Sequence, residues 1–292
     1  MGLGGRMNKE KIALLVDSCT DVPEIYKKKF NIYVIPLMII YKEGEYYDGI
    51  DISPEEVFNR FSEEIPSTSL PSPELTLDTF KKIKADGYEK VIAITISSGL
   101  SNTWSMVSTM ASQVEGLTTH VIDTKNIGIG AGFSAIMTGE LIEQGVGFEE
   151  ICSRVEENVE HTKLFFCVST LEYLKKGGRI GLVASILGTA FDLKPIISCN
   201  KEGIYYTVSK VRGRAKSLKA AAELATRFAS SYVKYNLTVM HGNAKEEADK
   251  LVALLKETLP HIKVTLEGQI TPALVVHTGP GLIGIGIQRV NW

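Results

Sequence analysis

Long hydrophobic runs are absent from this chain of 292 residues. No apolar stretch approaches the roughly 18–20 residues that a membrane-crossing helix needs. The first residues also lack a signal-peptide core, their only apolar run being the five residues 12–16. Cysteine is scarce. The four thiols, Cys19, Cys152, Cys167 and Cys199, stand far apart with no CxxC pair, so neither a disulfide framework nor a zinc site is expected. They read as reduced, mostly core residues of a cytoplasmic protein. Neither sign of charge is in excess: 32 basic and 34 acidic side chains give a net charge of −2. Proteins that grip nucleic acid by bulk electrostatics are far more basic, so no nucleic-acid partner is expected. The five histidines, at 120, 161, 241, 261 and 277, show no metal-ligand spacing. GxSxG, HExxH, GxxxxGKS/T and calcium-loop patterns are all missing. No metal or cofactor is expected.

What is present is an ordinary globular composition, 44% apolar and 23% charged, at a length that suggests two domains. The first half alternates buried strands (12–16, 91–96, 120–123) with helices near 53–61, 72–87, 128–144 and 148–160. Ser53 and Glu56 form a capping box around Pro54. Buried strands separated by helices predict an α/β domain with a parallel, doubly wound sheet, Rossmann-like in layout. The second half predicts an α+β domain: strands at 163–168, 204–211, 236–241, 262–268 and 273–279 in a mixed sheet, with helices near 217–233 and 244–258. The boundary falls softly near residue 160, giving domains 1–160 and 161–292, and the 66–73 loop is a candidate to pack on the second.

Gly279, Gly281 and Gly284 match GxGxxG by spacing, but eight residues remain after them and none is acidic, so no dinucleotide site is expected. GIGAG at 128–132 suggests close helix packing. Hydroxyls gather at strand ends instead. SSGLSNT (97–103) follows a buried strand, where parallel sheets place their ligand crevice. Ser98 or Ser101 there is a candidate cap for the next helix, or an anion ligand at its N-terminus. PSTSLPSP (66–73) holds Thr68 and Ser69 between stiffening prolines, and DSCTD (17–21) ends the first strand. Hydroxyls bind carboxylates, phosphates or sugars, and become nucleophiles only beside a base. No base is local, so binding is favoured over hydrolysis, with a base from the second domain as the way back. Cations come from LKKGGRIG (174–181), with Lys175, Lys176 and Arg179, and from KVRGRAK (210–216), whose four cations share one face if the segment is extended. His277 is read as ending an apolar strand, ALVV.

Ten motifs in order carry a resemblance: VDSCTDVP, IPL, DGIDISPEEV, TSLPSP, ISSGLSNT, VIDT, YLKKGGRI, KPII, KVRGR and HTGPGLIG. On them the chain resembles the DegV family of bacterial fatty-acid-binding proteins over nearly its whole length. The resemblance implies two α/β domains with a long-chain fatty acid, of the palmitate, stearate or oleate class, buried between them. It implies a carboxylate held by Thr68 and Ser101, with Ser69 also facing the head group and Ser97, Ser98 and Gly99 as the supporting loop. Some members are the non-catalytic, acyl-carrying subunits of fatty acid kinases, where a separate ATP-binding subunit makes acyl phosphate for phospholipid synthesis. For those the resemblance points to Arg179, Arg212 and His277 as phosphate or partner contacts, with transient membrane contact at loading. Leu70 and Asn102 depart from the common glutamine and glycine. Met38, Phe133, Met137, Phe165, Phe166, Leu187 and Leu193 are candidates for the tunnel wall or for plain core. The competing readings are a hydrolase or acyltransferase using a serine of SSGLS, and a nucleic-acid binder using KVRGRAK.

Overall fold

The computed structural model describes residues 8–186 and 193–290, so Leu187 lies outside the described residues. The first half runs β1 (Ile12–Asp17), α1 (Glu24–Lys29), β2 (Tyr33–Ile35), β3 (Met38–Tyr41), β4 (Gly44–Tyr47), α2 (Pro54–Arg60), β5 (Ser67–Ser69), α3 (Pro73–Ala85), β6 (Lys90–Thr95), α4 (Thr103–Ala111), β7 (Thr118–Asp123), α5 (Ile129–Glu143) and α6 (Phe148–Val159). The second runs β8 (Thr162–Cys167), α7 (Glu172–Lys176), β9 (Leu193–Cys199), β10 (Tyr205–Arg212), α8 (Arg214–Ala229), β11 (Tyr235–Gly242), α9 (Lys245–Thr258), β12 (Ile262–Gln269), α10 (Pro272–Thr278) and β13 (Leu282–Arg289).

Strands β2-β1-β6-β7 form the expected parallel sheet. Its strands are apolar on both faces because both faces are covered. Ala13, Leu15, Val91 and Ala93 pack with Phe80 of α3 and Val107 of α4. Leu14, Val16, Ile92 and Ile94 share a core with α5. The second sheet, β10-β9-β8-β13-β11-β12, is mixed: only β11 and β12 run parallel. Helices α8 and α9 cover one face through Ala221, Ala225, Leu251 and Leu255 against Ile283, Ile285 and Ile287. The chain is therefore α/β with a doubly wound parallel sheet and a mixed sheet.

Helix α5 is buried nearly all round, with 12 of its residues inaccessible, as a helix between two layers must be. One hydrophobic cluster runs through it from Leu14 and Val16 to Phe166, Met240 and Leu282. The glycines of GIGAG do serve close packing. A Cβ at Gly132 would stand 2.4 Å from the Thr20 carbonyl oxygen. Helix α2 carries its capping box, Ser53 Oγ accepting from Glu56 N–H and Glu56 accepting from Ser53 N–H.

Three expectations fail. Residues 273–276 are not a strand but belong to α10, with Pro272 at its first turn and Gly279 ending it. A short apolar run has no periodicity to separate a buried strand from a buried helix, and the proline and glycine are the better signal. The row Lys210, Arg212, Arg214 and Lys216 does not share an extended face. Strand β10 ends at Arg212, Gly213 turns at φ +84°, and α8 begins at Arg214, which pairs with Glu247 at 2.9 Å. The PSTS segment is more than a loop: β5 joins β4-β3-β5, a small antiparallel sheet, with Thr68 opposite Ile39 and Ser69 opposite Met38.

Candidate functional site

Parallel strands β1, β6 and β7 end at one edge, and the loops that follow them meet α10 and β5 there. Between them lies a pocket of about 230 Å³. Its polar wall is Thr68, Ser69, Ser101, Asn102, Arg179 and His277, with Cys19 and Leu70 beside them. Next to it a small cavity of about 30 Å³ is lined almost wholly by carbon, including Ile129, Leu164, Phe166, Met240, Leu282 and Gly284. Ile127, Tyr205, Leu274 and Thr278 belong to both walls, so the polar pocket adjoins the apolar one directly.

Thr68 Oγ1 is 2.7 Å from His277 Nε2, a contact across 209 residues of sequence. Burial and the nearby Arg179 charge hold the His277 imidazole down at about 4, so the ring is neutral at pH 7. Its Nδ1 is buried without a hydrogen-bond partner. Gly177 lies against that atom: a Cβ there would stand 2.0 Å from Nδ1, which explains the first glycine of KKGGR. Arg179 turns back to donate to the Gly177 carbonyl at 2.7 Å. Ser101 Oγ lies 2.8 Å from Thr103 Oγ1 and accepts from Thr103 N–H at 3.3 Å, so it sits just ahead of α4, whose N-cap is Asn102. Among the described residues no histidine or lysine bonds Ser101.

Ser97, Ser98 and Gly99 form a brace. Ser97 is fully buried; its hydroxyl donates to the Gly203 carbonyl at 2.9 Å and accepts from Gly99 N–H at 3.0 Å. Ser98 N–H donates to Asp123, and its hydroxyl accepts from Lys125 at 3.1 Å. The loop after β6 is thereby fixed to the β9–β10 turn. Arg212 is exposed at the end of β10 and is not brought to the pocket. The departures Leu70 and Asn102 both fall on the pocket wall.

The DSCTD loop works otherwise than expected. Ser18 donates to Asp48 at 2.5 Å and accepts from Leu37 N–H at 3.0 Å, and Thr20 donates to the Asp17 carbonyl, so Cys19 alone of the loop lines the polar pocket, while Asp21 lies on the wall of the apolar cavity. The aspartates matter instead, and sequence reasoning missed them. Asp21 accepts from Thr271 N–H at 2.9 Å and Asp48 from Ala273 N–H at 2.8 Å, so two carboxyls hold the start of the helix that carries His277. Asp17 accepts from Ile96 N–H at 2.7 Å and holds the start of the SSGLS loop. Burial pushes their carboxyls up, Asp48 to about 6, Asp17 to about 7 and Asp21 to about 8. The signal was Asp17, Asp21 and Asp48, three of the four acids in DSCTD and DGID, beside short strands.

Of the tunnel candidates, Phe166 lines the apolar cavity. Phe165 faces the opposite side of the mixed sheet, in the core under α8, because neighbouring strand residues alternate. Phe133 and Met137 are core residues of α5. The four cysteines are free and buried, and no cluster of metal-ligating side chains occurs among the described residues.

Residues 11–290 match the family described as "Uncharacterised protein, DegV family". The chain belongs to the DegV family. A DegV domain-containing protein of Clostridium acetobutylicum is 41% identical over 280 residues, covering 96% of this chain and 99% of that one. Among solved structures, a DegV family protein from Thermus thermophilus, described as fatty acid binding, superposes with a TM-score of 0.90 at 27% identity, covering 96% of this chain and 99% of that one. A stearic acid-binding protein from Eubacterium ventriosum superposes with a TM-score of 0.87 at 28% identity, covering 95% and 98%. The DegV resemblance read from the ten motifs is thus correct, and the fold of those proteins is the fold found here.

Proposed function

We propose that this DegV protein binds one long-chain fatty acid between residues 1–160 and 161–292. The carboxylate lies in the polar pocket against Thr68 and Ser101, with Ser69 at its edge, and the acyl chain enters the apolar cavity and widens it. One observation carries this: a pocket edged by hydroxyls adjoins a cavity with a carbon lining, and the two have four wall residues in common. The DegV relatives described as binding fatty acids support it. Each buried methylene contributes about 0.8 kcal/mol, so the tail supplies most of the affinity. Each hydrogen bond to the carboxylate adds about 1.5–3 kcal/mol and fixes orientation.

The finer role is the acyl-carrying subunit of a cytoplasmic fatty acid kinase. A separate ATP-binding subunit would phosphorylate the bound carboxylate to acyl phosphate, for phospholipid synthesis. Arg179 and His277 flank the head-group pocket for that step, exposed Arg212 faces the partner, and loading involves brief contact with a membrane. The serine hydrolase alternative is disfavoured because the hydroxyl of Ser101 is bonded to Thr103 and that of Ser97 to the Gly203 carbonyl, while Ser98 meets only Lys125, whose amine is ion-paired with Asp123.

Native mass spectrometry of the purified protein, followed by solvent extraction, tests the binding. A stoichiometric long-chain fatty acid is the expected result, and Thr68→Val with Ser101→Ala should lower its retention about tenfold or more. A protein that stays empty when offered palmitate or oleate sinks the proposal. Acyl phosphate made from the loaded protein by a kinase subunit and ATP, and lost in Arg179→Ala, tests the finer role.

A further inference from the structure

The GxGxxG spacing at 279–284 leads into strand β13 and not into a helix, and its last glycine sits on the cavity wall. Strand β13 alternates. Ile283, Ile285 and Ile287 face α8 and α9, while Leu282, Gly284 and Gly286 face α5. Gly284 pairs with Met240 on one side and Phe166 on the other, and all three line the apolar cavity. A Cβ at Gly284 would meet nothing closer than Leu164 Cδ1 at 3.5 Å and Phe166 Cβ at 3.7 Å, which is ordinary contact. A methyl group therefore fits the protein and takes its room from the cavity. Two residues on, roughly 7 Å along the strand, Gly286 presents the opposite case. There a Cβ would stand 2.6 Å from Thr238 Cγ2 and 3.2 Å from Phe133 Cε2. Phe133 is fully buried on α5, so its ring fills the space that the second bare position would leave.

We propose that Gly284 and Phe133 set the length of acyl chain this protein takes. Gly284 leaves the sheet bare on the cavity wall, and the Phe133 ring, packed over Gly286 in the core just beyond that wall, is the stop. The proposal rests on the fatty-acid reading above and adds the residues that measure the chain.

The test is competition of laurate, palmitate, stearate and arachidate against a fluorescent fatty acid, on the full chain and three variants. Gly284→Ala should weaken stearate, and Gly284→Val should weaken it about tenfold, the equivalent of roughly two methylenes of burial. Laurate should bind the variants and the parent nearly equally. Phe133→Leu opens the stop and should raise arachidate relative to stearate. Since the alanine methyl meets only ordinary contacts, an unchanged melting temperature in Gly284→Ala separates lost binding from lost fold. Equal weakening of all four chains, or no change in their order, overturns the proposal. A parent protein that binds none of the four overturns the fatty-acid reading itself, whatever the variants do.

Discussion

A threonine hydroxyl carries one proton, so what Thr68 offers a ligand depends on His277. To donate to a carboxylate, Thr68 must accept from the imidazole, and the ring must then carry its proton on Nε2, 2.7 Å away. That tautomer leaves Nδ1 bare, which suits an atom buried without a partner against Gly177. Nitrogen-15 NMR of the ligand-free protein should find a neutral ring, protonated at Nε2, that charges only near pH 4. A ring already charged at pH 6 would mean that Arg179 and burial do not govern it. The folded value lies below the usual 6.5, so the stability tied to this neutral ring is complete above pH 6.5 and is lost as pH falls toward 4. The sequence showed Thr68, Ser101, Arg179 and His277 as residues worth singling out. It did not show that Thr68 and His277 touch, because 209 residues separate them and only the fold closes that distance.

At the scale of elements, α10 is the piece on which the polar pocket turns, and its first turn hangs from Asp21 and Asp48. These carboxyls and that of Asp17 have folded values raised from 3.8 to between about 6 and 8. The stability they contribute is complete below pH 3.8 and is lost as pH rises through 6 to 8. Between pH 6 and pH 8 the loss should be about 2 kcal/mol or more, opposite in sign to the His277 effect, which acts at lower pH. Thermal melts should therefore fall from pH 6 to pH 8, and Asp21→Asn should flatten that slope while keeping an acceptor for Thr271. A melting temperature that climbs over this range would contradict the buried-acid assignment. The buried strands of the parallel sheet were legible because continuous apolar runs bounded by polar loops have few other meanings. Strand β13 was not, since Gly284 and Gly286 remove half of its alternating pattern, and α10 read as a strand for want of periodicity.

In the whole molecule, the two halves are joined by α5 and by the walls of the site. Thr68 and Ser101 come from one half, and Arg179, His277 and Met240 from the other. A ligand that touches both adds contacts that the unfolded chain cannot make. At about 100 times its dissociation constant it should stabilise the protein by about 2.7 kcal/mol, and raise the melting temperature by roughly 5 °C or more. Thr68→Val should shrink that rise at a fixed concentration of palmitate, and an equal rise in both proteins would place the carboxylate elsewhere. The parallel sheet followed by a mixed sheet was legible from the order of elements. The buried acids were not, because an aspartate beside a strand end gives no sign in sequence of which distant N–H it will meet.

The stretch from Thr271 to Arg289 is continuous in a way that bears on how such a protein is redesigned. It gives His277 to the polar pocket and, seven residues later, Gly284 to the floor of the apolar cavity. In the proposed complex, both ends of the ligand are then read by neighbouring parts of one covalent segment. A shift of that segment along the sheet to suit a different tail would drag the imidazole away from Thr68. If the proposed complex forms, tail preference and head-group placement are therefore coupled in this chain, and a variant redesigned for a different tail is expected to work through side chains within the segment and not through a change in its length.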